Sequence, residues 1–292
     1  MKKTTLLKKM ISERNALVVP GAYDALSAIL IEKTGFKALQ VSGFGISGSF
    51  LGKPDVGLLT FTEMLVMTKN IVKSVDIPVM ADGDTGFGNA INLIRTVEES
   101  ESIGCAGINL EDQTFPKRCG HLEGKSLISI EEMVLKIKAA VNTKKDPDFV
   151  INARTDAISV FGIDEAIKRG NAYAEAGADL IFLEAISGRG DIEKAVKEIK
   201  APISINLFDA IGGGKTKLIS LEELRNLGVA RVSVPVGTIF AAAKGIKTYL
   251  EKLFEKGILP DSKELAMTFD EWKTLLEVDK IYRFERKYLP GN

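Results

Sequence analysis

The sequence contains very few of the side chains that most often bind transition metals. Its 292 residues include one histidine, His121, and two cysteines, Cys105 and Cys119. A single histidine excludes multi-histidine metal sites and requires any Ser-His-Asp triad to use His121. Two cysteines cannot form a disulfide framework, which predicts a protein of the reducing cytoplasm.

The sequence also lacks an excess of charge of either sign and a long apolar run. Lysine plus arginine equals aspartate plus glutamate at 39 each, and the sequence pI is about 6.7. This balance predicts no surface for nucleic acid or for an anionic membrane. No apolar run approaches the roughly 18 residues of a membrane span, and Lys8 and Lys9 interrupt the first one, which argues against a signal peptide. We therefore expect neither nucleic acid nor a membrane as a partner.

Short apolar segments alternate with longer helical patterns along the chain, which is typical of βα units with a parallel sheet. Eight segments predict strands, at residues 16–20, 38–42, 77–82, 107–111, 149–154, 180–184, 203–206 and 232–235. Glycines follow several helical patterns and precede a strand, as C-terminal helix caps do: Gly35, Gly104, Gly177 and Gly228. Eight such units predict an α/β fold, a closed (β/α)8 TIM barrel, which typically needs roughly 250 residues.

The remaining length lies beyond the eighth predicted strand. No linker or low-complexity tract interrupts the chain, which predicts one barrel domain over residues 1–292, with 260–292 as a C-terminal helical extension. Apolar residues in that extension, among them Leu265, Trp272 and Leu276, are spaced as on an amphipathic helix. A closed barrel does not need this helix for its own core.

The stretch after the fourth predicted strand concentrates the rarest side chains. Residues 107–125 read GINLEDQTFPKRCGHLEGK, in which the strand ends at Glu111 and a basic turn holds Lys117, Cys119 and His121. Barrel enzymes place catalytic groups in loops at the carboxyl ends of their strands. Basic neighbours should favour the Cys119 thiolate. The alternative is a loop cysteine with solvated basic neighbours.

Two acids end the third predicted strand. Asp82 and Asp84 are two residues apart in the run ADGDTGFG, so their side chains point to the same side of an extended chain. Like charges this close repel unless a cation lies between them, and oxygen ligands without histidine suit Mg²⁺ or Mn²⁺. The alternative is a pair of solvated loop acids, one of which caps a helix.

The second and fifth strand ends carry further groups that suit an anionic ligand. Arg154, among acids, has the planar fork that binds a carboxylate through two hydrogen bonds. Small residues around Gly43 allow a ligand to approach backbone N–H groups. Cys105, which follows a glycine just before a strand, is typical of a packed structural residue.

Two of these motifs resemble signatures of one enzyme family. The run from Lys117 to His121 is similar to the K-[KR]-C-G-H signature of the isocitrate lyase and phosphoenolpyruvate mutase superfamily, and ADGDTGFG contains its D-G-D-T-G-[FY]-G run. The resemblance extends from Val18 to the C-terminus, and the methylisocitrate lyase and 2,3-dimethylmalate lyase branches are most similar. It implies a Mg²⁺-dependent or Mn²⁺-dependent lyase that cleaves a carbon–carbon bond of a 2-hydroxy dicarboxylate, in retro-aldol fashion, to pyruvate and a short carboxylate.

The resemblance also implies roles for individual residues. It implies metal binding by Asp82 and Asp84, with Asp84 the more direct ligand. It implies catalytic roles for Cys119 as general acid and for Lys117, His121, Arg154 and Glu111. It implies substrate binding by Ser42, Gly43, Phe44, Asp55, Gly120, Arg154, Glu184 and Asn206. The general base stays open, because Gln40 stands where methylisocitrate lyases have a tyrosine and either Asp55 or a metal-bound hydroxide could replace it.

Two positions bear on the substrate. Methylisocitrate lyases hold a third carboxylate with two further arginines, and the matching residues here are Ala241 and Phe269. Apolar residues favour alkyl groups over a third carboxylate, which favours 2,3-dimethylmalate or a 2-alkylmalate. The alternatives are a 2-methylisocitrate lyase, a carboxyphosphonoenolpyruvate phosphonomutase, an oxaloacetate decarboxylase and a ligand-binding barrel without catalysis.

The resemblance also implies an assembly. In the similar families the last barrel helix is exchanged between subunits, which predicts a dimer or a dimer of dimers.

Three consecutive glycines in segment 209–217 predict a loop that moves. This segment and the cysteine loop around Cys119 should close over the ligand and exclude water.

Overall fold

The structure is a computed structural model that describes residues 1–207, 216–217, 219–257 and 265–290. Most of the predicted closing segment 209–217 lies outside the described residues, as does part of the predicted extension 260–292.

Eight parallel strands close into one barrel in chain order. They are β1 (Leu17–Ala22), β2 (Leu39–Val41), β3 (Val79–Asp82), β4 (Gly107–Glu111), β5 (Val150–Thr155), β6 (Leu180–Leu183), β7 (Ile203–Asn206) and β8 (Arg231–Val234). The barrel closes where β8 pairs with β1, with Leu17 opposite Arg231. The predicted (β/α)8 fold is confirmed, and no predicted strand boundary is wrong by more than two residues.

The helices of the described residues begin before β1, alternate with the strands and continue after β8. They are α1 (Lys3–Ser12), α2 (Ala25–Thr34), α3 (Gly43–Ile46), α4 (Phe61–Ser74), α5 (Ala90–Ser102), α6 (Ile130–Thr143), α7 (Ile158–Phe161), α8 (Ile163–Glu175), α9 (Arg189–Glu198), α10 (Leu221–Leu227), α11 (Gly237–Lys256), α12 (Phe269–Leu275) and α13 (Val278–Tyr288), with a π-helix at Ser47–Leu51 after α3. Gly35 and Gly228 end α2 and α10 with left-handed φ of 106° and 84°, which confirms these two predicted caps.

The helix α1 covers the amino-terminal end of the barrel. Leu7 and Ile11 are buried in one cluster with strand residues that include Val19, Met80 and Val150. A larger apolar cluster joins the outer faces of the strands to the surrounding helices. The apolar cluster under α1 therefore closes this end of the barrel, opposite the carboxyl ends of the strands.

The chain divides into two compact units, Met1–Ile239 and Phe240–Asn292. The first contains all eight strands, and the second contains α12 and α13, which are the extra C-terminal helices that the sequence predicts. Whether the chain functions as one domain stays a prediction. Among the helices of the described ranges, none is long and apolar enough to cross a membrane.

A substitution at Gly21 tests how tightly the barrel closes. A β-carbon there would lie 2.2 Å from the carbonyl oxygen of Pro235 and 2.9 Å from its α-carbon. Backbone atoms cannot rotate away, so we expect Gly21→Ala to lower the free energy of unfolding by about 1–3 kcal/mol. Gly190→Ala in α9 is the matched control, because its β-carbon meets no atom within 4 Å and alanine should stabilise a helix by about 0.5–1 kcal/mol. Urea denaturation measures both, and equal stability of the two variants would contradict the packing described here.

Candidate active site

Polar side chains at the carboxyl ends of the strands surround a cavity of about 60 Å³. The cavity is lined by every residue to which the resemblance assigns a catalytic, metal-binding or substrate-binding role: Ser42, Gly43, Phe44, Asp55, Asp82, Asp84, Glu111, Lys117, Cys119, Gly120, His121, Arg154, Glu184 and Asn206. Their individual roles stay predictions. Ala241 and Phe269 are not among the lining residues. The cavity is also lined by Gln40, Asn109 and Phe182, which had no predicted role.

The end of β3 is fixed by hydrogen bonds to the backbone. Asp82 accepts one from the Gly43 N–H at 2.9 Å and one from the Asp84 N–H at 3.2 Å. The buried Nζ of Lys136 donates to the Thr85 carbonyl at 2.7 Å. Asp84 itself has a left-handed φ of 44°, which is costly for a residue other than glycine. The bonds around it therefore hold its carboxylate in place at the cavity.

In the loop Ser42–Phe44, which the resemblance assigns to substrate binding, two polar groups already bind partners within the protein. Ser42 caps α3 by accepting a hydrogen bond from the Gly45 N–H at 3.1 Å. The Gly43 N–H is held by Asp82, and a β-carbon at Gly43 would lie 2.7 Å from the Asp82 Oδ2. Gly43 is therefore required so that the two strand ends can approach each other.

Lys117 joins the cysteine loop to two acids. Its buried Nζ lies 2.7 Å from Asp55 Oδ1 and 2.7 Å from Asp84 Oδ1. Burial alone would lower the pKa of Lys117, but the Asp84 and Asp55 carboxylates outweigh it and raise that pKa well above its usual value. Lys117 is therefore a permanent cation at neutral pH, which suits a residue that holds acids rather than one that transfers a proton.

Arg154 is held by acids on two sides. Its Nε and one terminal nitrogen donate to the two Asp156 oxygens at 2.9 and 3.0 Å. Its other terminal nitrogen lies 3.3 Å from Glu111 Oε2 and 3.4 Å from Glu184 Oε2. The guanidinium also stacks over Phe182, with 5.4 Å between the guanidinium carbon and the ring centroid. The two-bond fork of Arg154 is thus occupied by Asp156, and its binding of a ligand carboxylate stays a prediction.

Glu184 contacts three side chains at the carboxyl end of the barrel, from Arg154, His121 and Asn206. Its Oε1 lies 3.3 Å from His121 Nε2 and accepts a hydrogen bond from the Asn206 amide at 3.4 Å. A β-carbon at Gly120 would lie 2.5 Å from the Glu184 Cγ and 2.6 Å from a terminal nitrogen of Arg154. Only glycine fits between cysteine and histidine here, because the loop lies directly on these side chains.

The Cys119 thiol is protonated at neutral pH. Burial raises its pKa to about 11, and Asp55 and Glu184 add to the rise, while the His121 N–H opposes it. The prediction that basic neighbours favour the thiolate is therefore wrong. The Lys117 ammonium is engaged by two carboxylates, and the Arg118 side chain donates to the Glu123 carbonyl at 3.1 Å.

Two residues that support the site had no predicted role. Asp156 orients Arg154, and Lys125 connects the two loops by donating to the Gly120 carbonyl and, at 3.0 Å, to Asp156. Arg154 and Asp156 are two residues apart at the end of β5, and this same-side spacing was the available signal for Asp156. No pattern in the sequence indicates Lys125, since its partners are brought to it by the fold.

The acids of the cavity fit a hard divalent cation. The Glu111 Oε1 is buried and has no hydrogen-bond partner among the described residues. Burial raises the pKa of Asp84 to about 7, against the effect of Lys117 and with a contribution from Asp82, and a nearby cation would offset that cost. Within the described ranges, no three His, Cys, Asp or Glu side chains are grouped to hold a metal ion. The few carboxylate oxygens that Asp82, Asp84 and Glu111 offer suit Mg²⁺ or Mn²⁺, because these ions complete their coordination with water and substrate oxygens.

Alkylation of the thiols tests the protonation of Cys119. Because the thiolate is the nucleophile, the iodoacetamide rate at Cys119 should rise about tenfold per pH unit from about pH 7 to about pH 10. Mass spectrometry of tryptic peptides measures the rate. Cys105 is the internal control, since it is buried and burial raises its pKa to about 12, so it should stay unlabelled. A rate at Cys119 that reaches its plateau below about pH 9 would contradict the raised pKa.

Known proteins resemble this chain over nearly its whole length. The model of the phosphoenolpyruvate phosphomutase family matches residues 7–254. A 2,3-dimethylmalate lyase from Eubacterium barkeri is 44% identical over 286 residues, which cover 98% of each chain. A 2-methylisocitrate lyase from Aeropyrum pernix is 43% identical over 271 residues, which cover 93% of this chain and 86% of the relative.

Solved structures share the fold. A crystal structure of a 2,3-dimethylmalate lyase of the PEP mutase/isocitrate lyase superfamily matches with a TM-score of 0.90 and 32% identity, over 98% of this chain and 95% of that chain. A phosphonopyruvate hydrolase solved with oxalate and Mg²⁺ matches with a TM-score of 0.89 and 31% identity, over 99% of this chain and 100% of that chain. The chain therefore belongs to the phosphoenolpyruvate mutase/isocitrate lyase superfamily and is an enzyme of its carbon–carbon lyase type.

Proposed function

We propose that this enzyme is a Mg²⁺-dependent lyase that cleaves 2,3-dimethylmalate or a 2-alkylmalate to pyruvate and a short carboxylate. The observation that carries the proposal is one cavity that combines acids suited to Mg²⁺, a paired arginine and a protonated thiol. The identity to the dimethylmalate lyase of E. barkeri supports the substrate class. The Mg²⁺ and oxalate in the phosphonopyruvate hydrolase structure support the cofactor.

The acids at the ends of β3 and β4 would hold the cation. Asp82, Asp84 and Glu111 line the same cavity and supply only oxygen donors. A bound Mg²⁺ supplies a Lewis acid for the negative charge that develops on substrate oxygen. Lys117 keeps Asp84 in position through its 2.7 Å contact.

Arg154 is positioned to stabilise the same charge. Asp156 engages two of its nitrogens, which leaves the edge beside Glu111 and Glu184 turned to the cavity. A guanidinium held in this way does not have to reorganise during the reaction, which is the main source of electrostatic stabilisation in enzymes.

Cys119 supplies the proton that ends the reaction. Removal of the substrate hydroxyl proton by a base allows the carbon–carbon bond to break, and its electron pair passes to the carbon beside the other carboxylate. The thiol then donates its proton to that carbon. A donor with a pKa of about 11 stays loaded at neutral pH and suits a strongly basic carbanion.

The resemblance to methylisocitrate lyases favours a dicarboxylate over a tricarboxylate as the substrate. Ala241 and Phe269 replace the arginines with which methylisocitrate lyases hold a third carboxylate. 2-Methylisocitrate is the second candidate substrate, because the A. pernix relative is nearly as similar as the dimethylmalate lyase.

We further propose a cytoplasmic homo-oligomer, either a dimer or a dimer of dimers. The scarcity of cysteine supports the compartment. Support for the assembly comes from α11, where Ile246, Leu250 and Phe254 are 62%, 54% and 90% exposed. These residues repeat every four positions and so form one apolar stripe on the helix.

A substrate panel tests the proposed reaction. We expect pyruvate release from 2,3-dimethylmalate with Mg²⁺, a kcat/KM at least about tenfold higher than for 2-methylisocitrate, and no turnover after EDTA treatment until Mg²⁺ is restored. The preference follows from the missing arginines, because an unpaired buried carboxylate is costly. A lactate dehydrogenase-coupled assay measures pyruvate. Preference for the tricarboxylate would reject the substrate, and full turnover in EDTA would reject the metal.

Removal of the thiol tests the general acid. Cys119→Ser should lower kcat by about 10²- to 10⁴-fold, because a hydroxyl is a far weaker acid than a thiol. Oxalate affinity should change much less, since oxalate needs no proton. Cys105→Ser serves as the control for loss of a thiol and should keep its activity. Wild-type cleavage by Cys119→Ser would remove the cysteine from the mechanism.

A further inference from the structure

Gln40 enters the cavity from β2 and is contacted from behind by a buried arginine. Arg231, the first residue of β8, is fully buried and is not among the residues that line the cavity. One of its terminal nitrogens donates to the Gln40 Oε1, and another donates to the Ser204 hydroxyl at 2.8 Å. Gln40, in contrast, is 5% exposed and lines the cavity.

This contact determines which way the amide of Gln40 faces. A guanidinium has five N–H donors and no acceptor, so only an amide oxygen can bind it. The Gln40 oxygen must therefore point to Arg231, away from the cavity. The Nε2 atom, with two N–H donors, is left on the cavity side.

In this orientation the Gln40 amide can act on a ligand only as a hydrogen-bond donor. Neither the amide nitrogen nor its oxygen gains or loses a proton near neutral pH, and the oxygen already accepts a hydrogen bond from Arg231. Arg231 keeps its charge at neutral pH even though burial lowers its pKa to about 9. Gln40 therefore offers N–H donors to an oxygen of the ligand and does not serve as the general base.

We propose that Gln40 is a specificity-determining hydrogen-bond donor to an oxygen of the bound oxo-acid anion, and that Arg231 is the positioning residue that aims this donor at the cavity. The proposal rests on the proposed function, because that function makes pyruvate, an oxo-acid anion, a product bound in the cavity.

Oxalate with Mg²⁺ is the probe, and isothermal titration calorimetry measures its affinity. Gln40→Glu keeps the side-chain length and the contact with Arg231 but turns a carboxylate oxygen to the ligand, so oxalate should bind at least about tenfold more weakly. Gln40→Met removes the donor without adding charge and should also weaken binding. Ser204→Ala is the matched control, since it removes the other Arg231 contact without touching the cavity, and it should bind oxalate as the wild type does.

A double-mutant cycle tests the positioning role of Arg231. In the protein that keeps Gln40, Arg231→Met should weaken oxalate binding several-fold, because the Gln40 amide is then free to rotate. In the Gln40→Met background, Arg231→Met should not change the oxalate affinity further, because no amide remains for Arg231 to orient. If Arg231 only stabilised the fold, Arg231→Met would lower the melting temperature in both backgrounds. The changes in the free energy of oxalate binding caused by Arg231→Met and Gln40→Met would then be additive.

The outcomes separate this inference from the proposed function. Equal oxalate affinity of the wild type, Gln40→Glu and Gln40→Met would overturn the role of Gln40 and leave the lyase proposal standing. Independent effects of Arg231→Met and Gln40→Met would overturn the role of Arg231. A wild-type enzyme that binds no oxalate with Mg²⁺ would overturn both the donor role and the proposed function.

Discussion

The site depends on the compensation of buried negative charge. Acids from several strand ends share one cavity, where each ion removed from water costs several kcal/mol unless it is paired. Lys117 lies 2.7 Å from both Asp55 and Asp84, and Arg154 contacts three further acids, of which Asp156 binds it through two hydrogen bonds. Each cation therefore also joins two parts of the chain, so the loop after β4 is tied to the loop after β3. A divalent cation at the acids would extend the same compensation.

The orientation of Arg154 is set by residues outside the cavity. Asp112 is fully buried and accepts hydrogen bonds from Tyr173 at 2.8 Å, from Arg169 at 3.0 Å and from the Asp156 backbone N–H at 3.0 Å. Tyr173 and Arg169 both belong to α8. Helix α8 thus positions Asp112, and Asp112 positions the backbone of Asp156. The Asp156 carboxylate in turn positions the Arg154 guanidinium. A charge that is to stabilise a reacting ligand needs such support from packed elements.

The same acids determine what the cysteine can do. A nucleophilic cysteine needs an electropositive surrounding that stabilises its thiolate. Cys119 has basic neighbours in sequence, yet burial, Asp55 and Glu184 keep its thiol protonated. The loop therefore presents a proton donor, which is the group that the proposed cleavage needs, and the positive charge of Lys117 holds carboxylates.

The sequence by itself determined the barrel and which polar residues gather at the carboxyl ends of its strands. Apolar segments followed by polar residues show where parallel strands end, and those ends meet at one edge of a closed barrel for purely geometric reasons. Short-range spacing also predicts that Asp82 and Asp84 share one side. Only the tertiary structure decided which charges are paired and which way a polar group faces, because both depend on distance in space. Gln40 and Arg231 are 191 residues apart, and no local pattern indicates that one would orient the other.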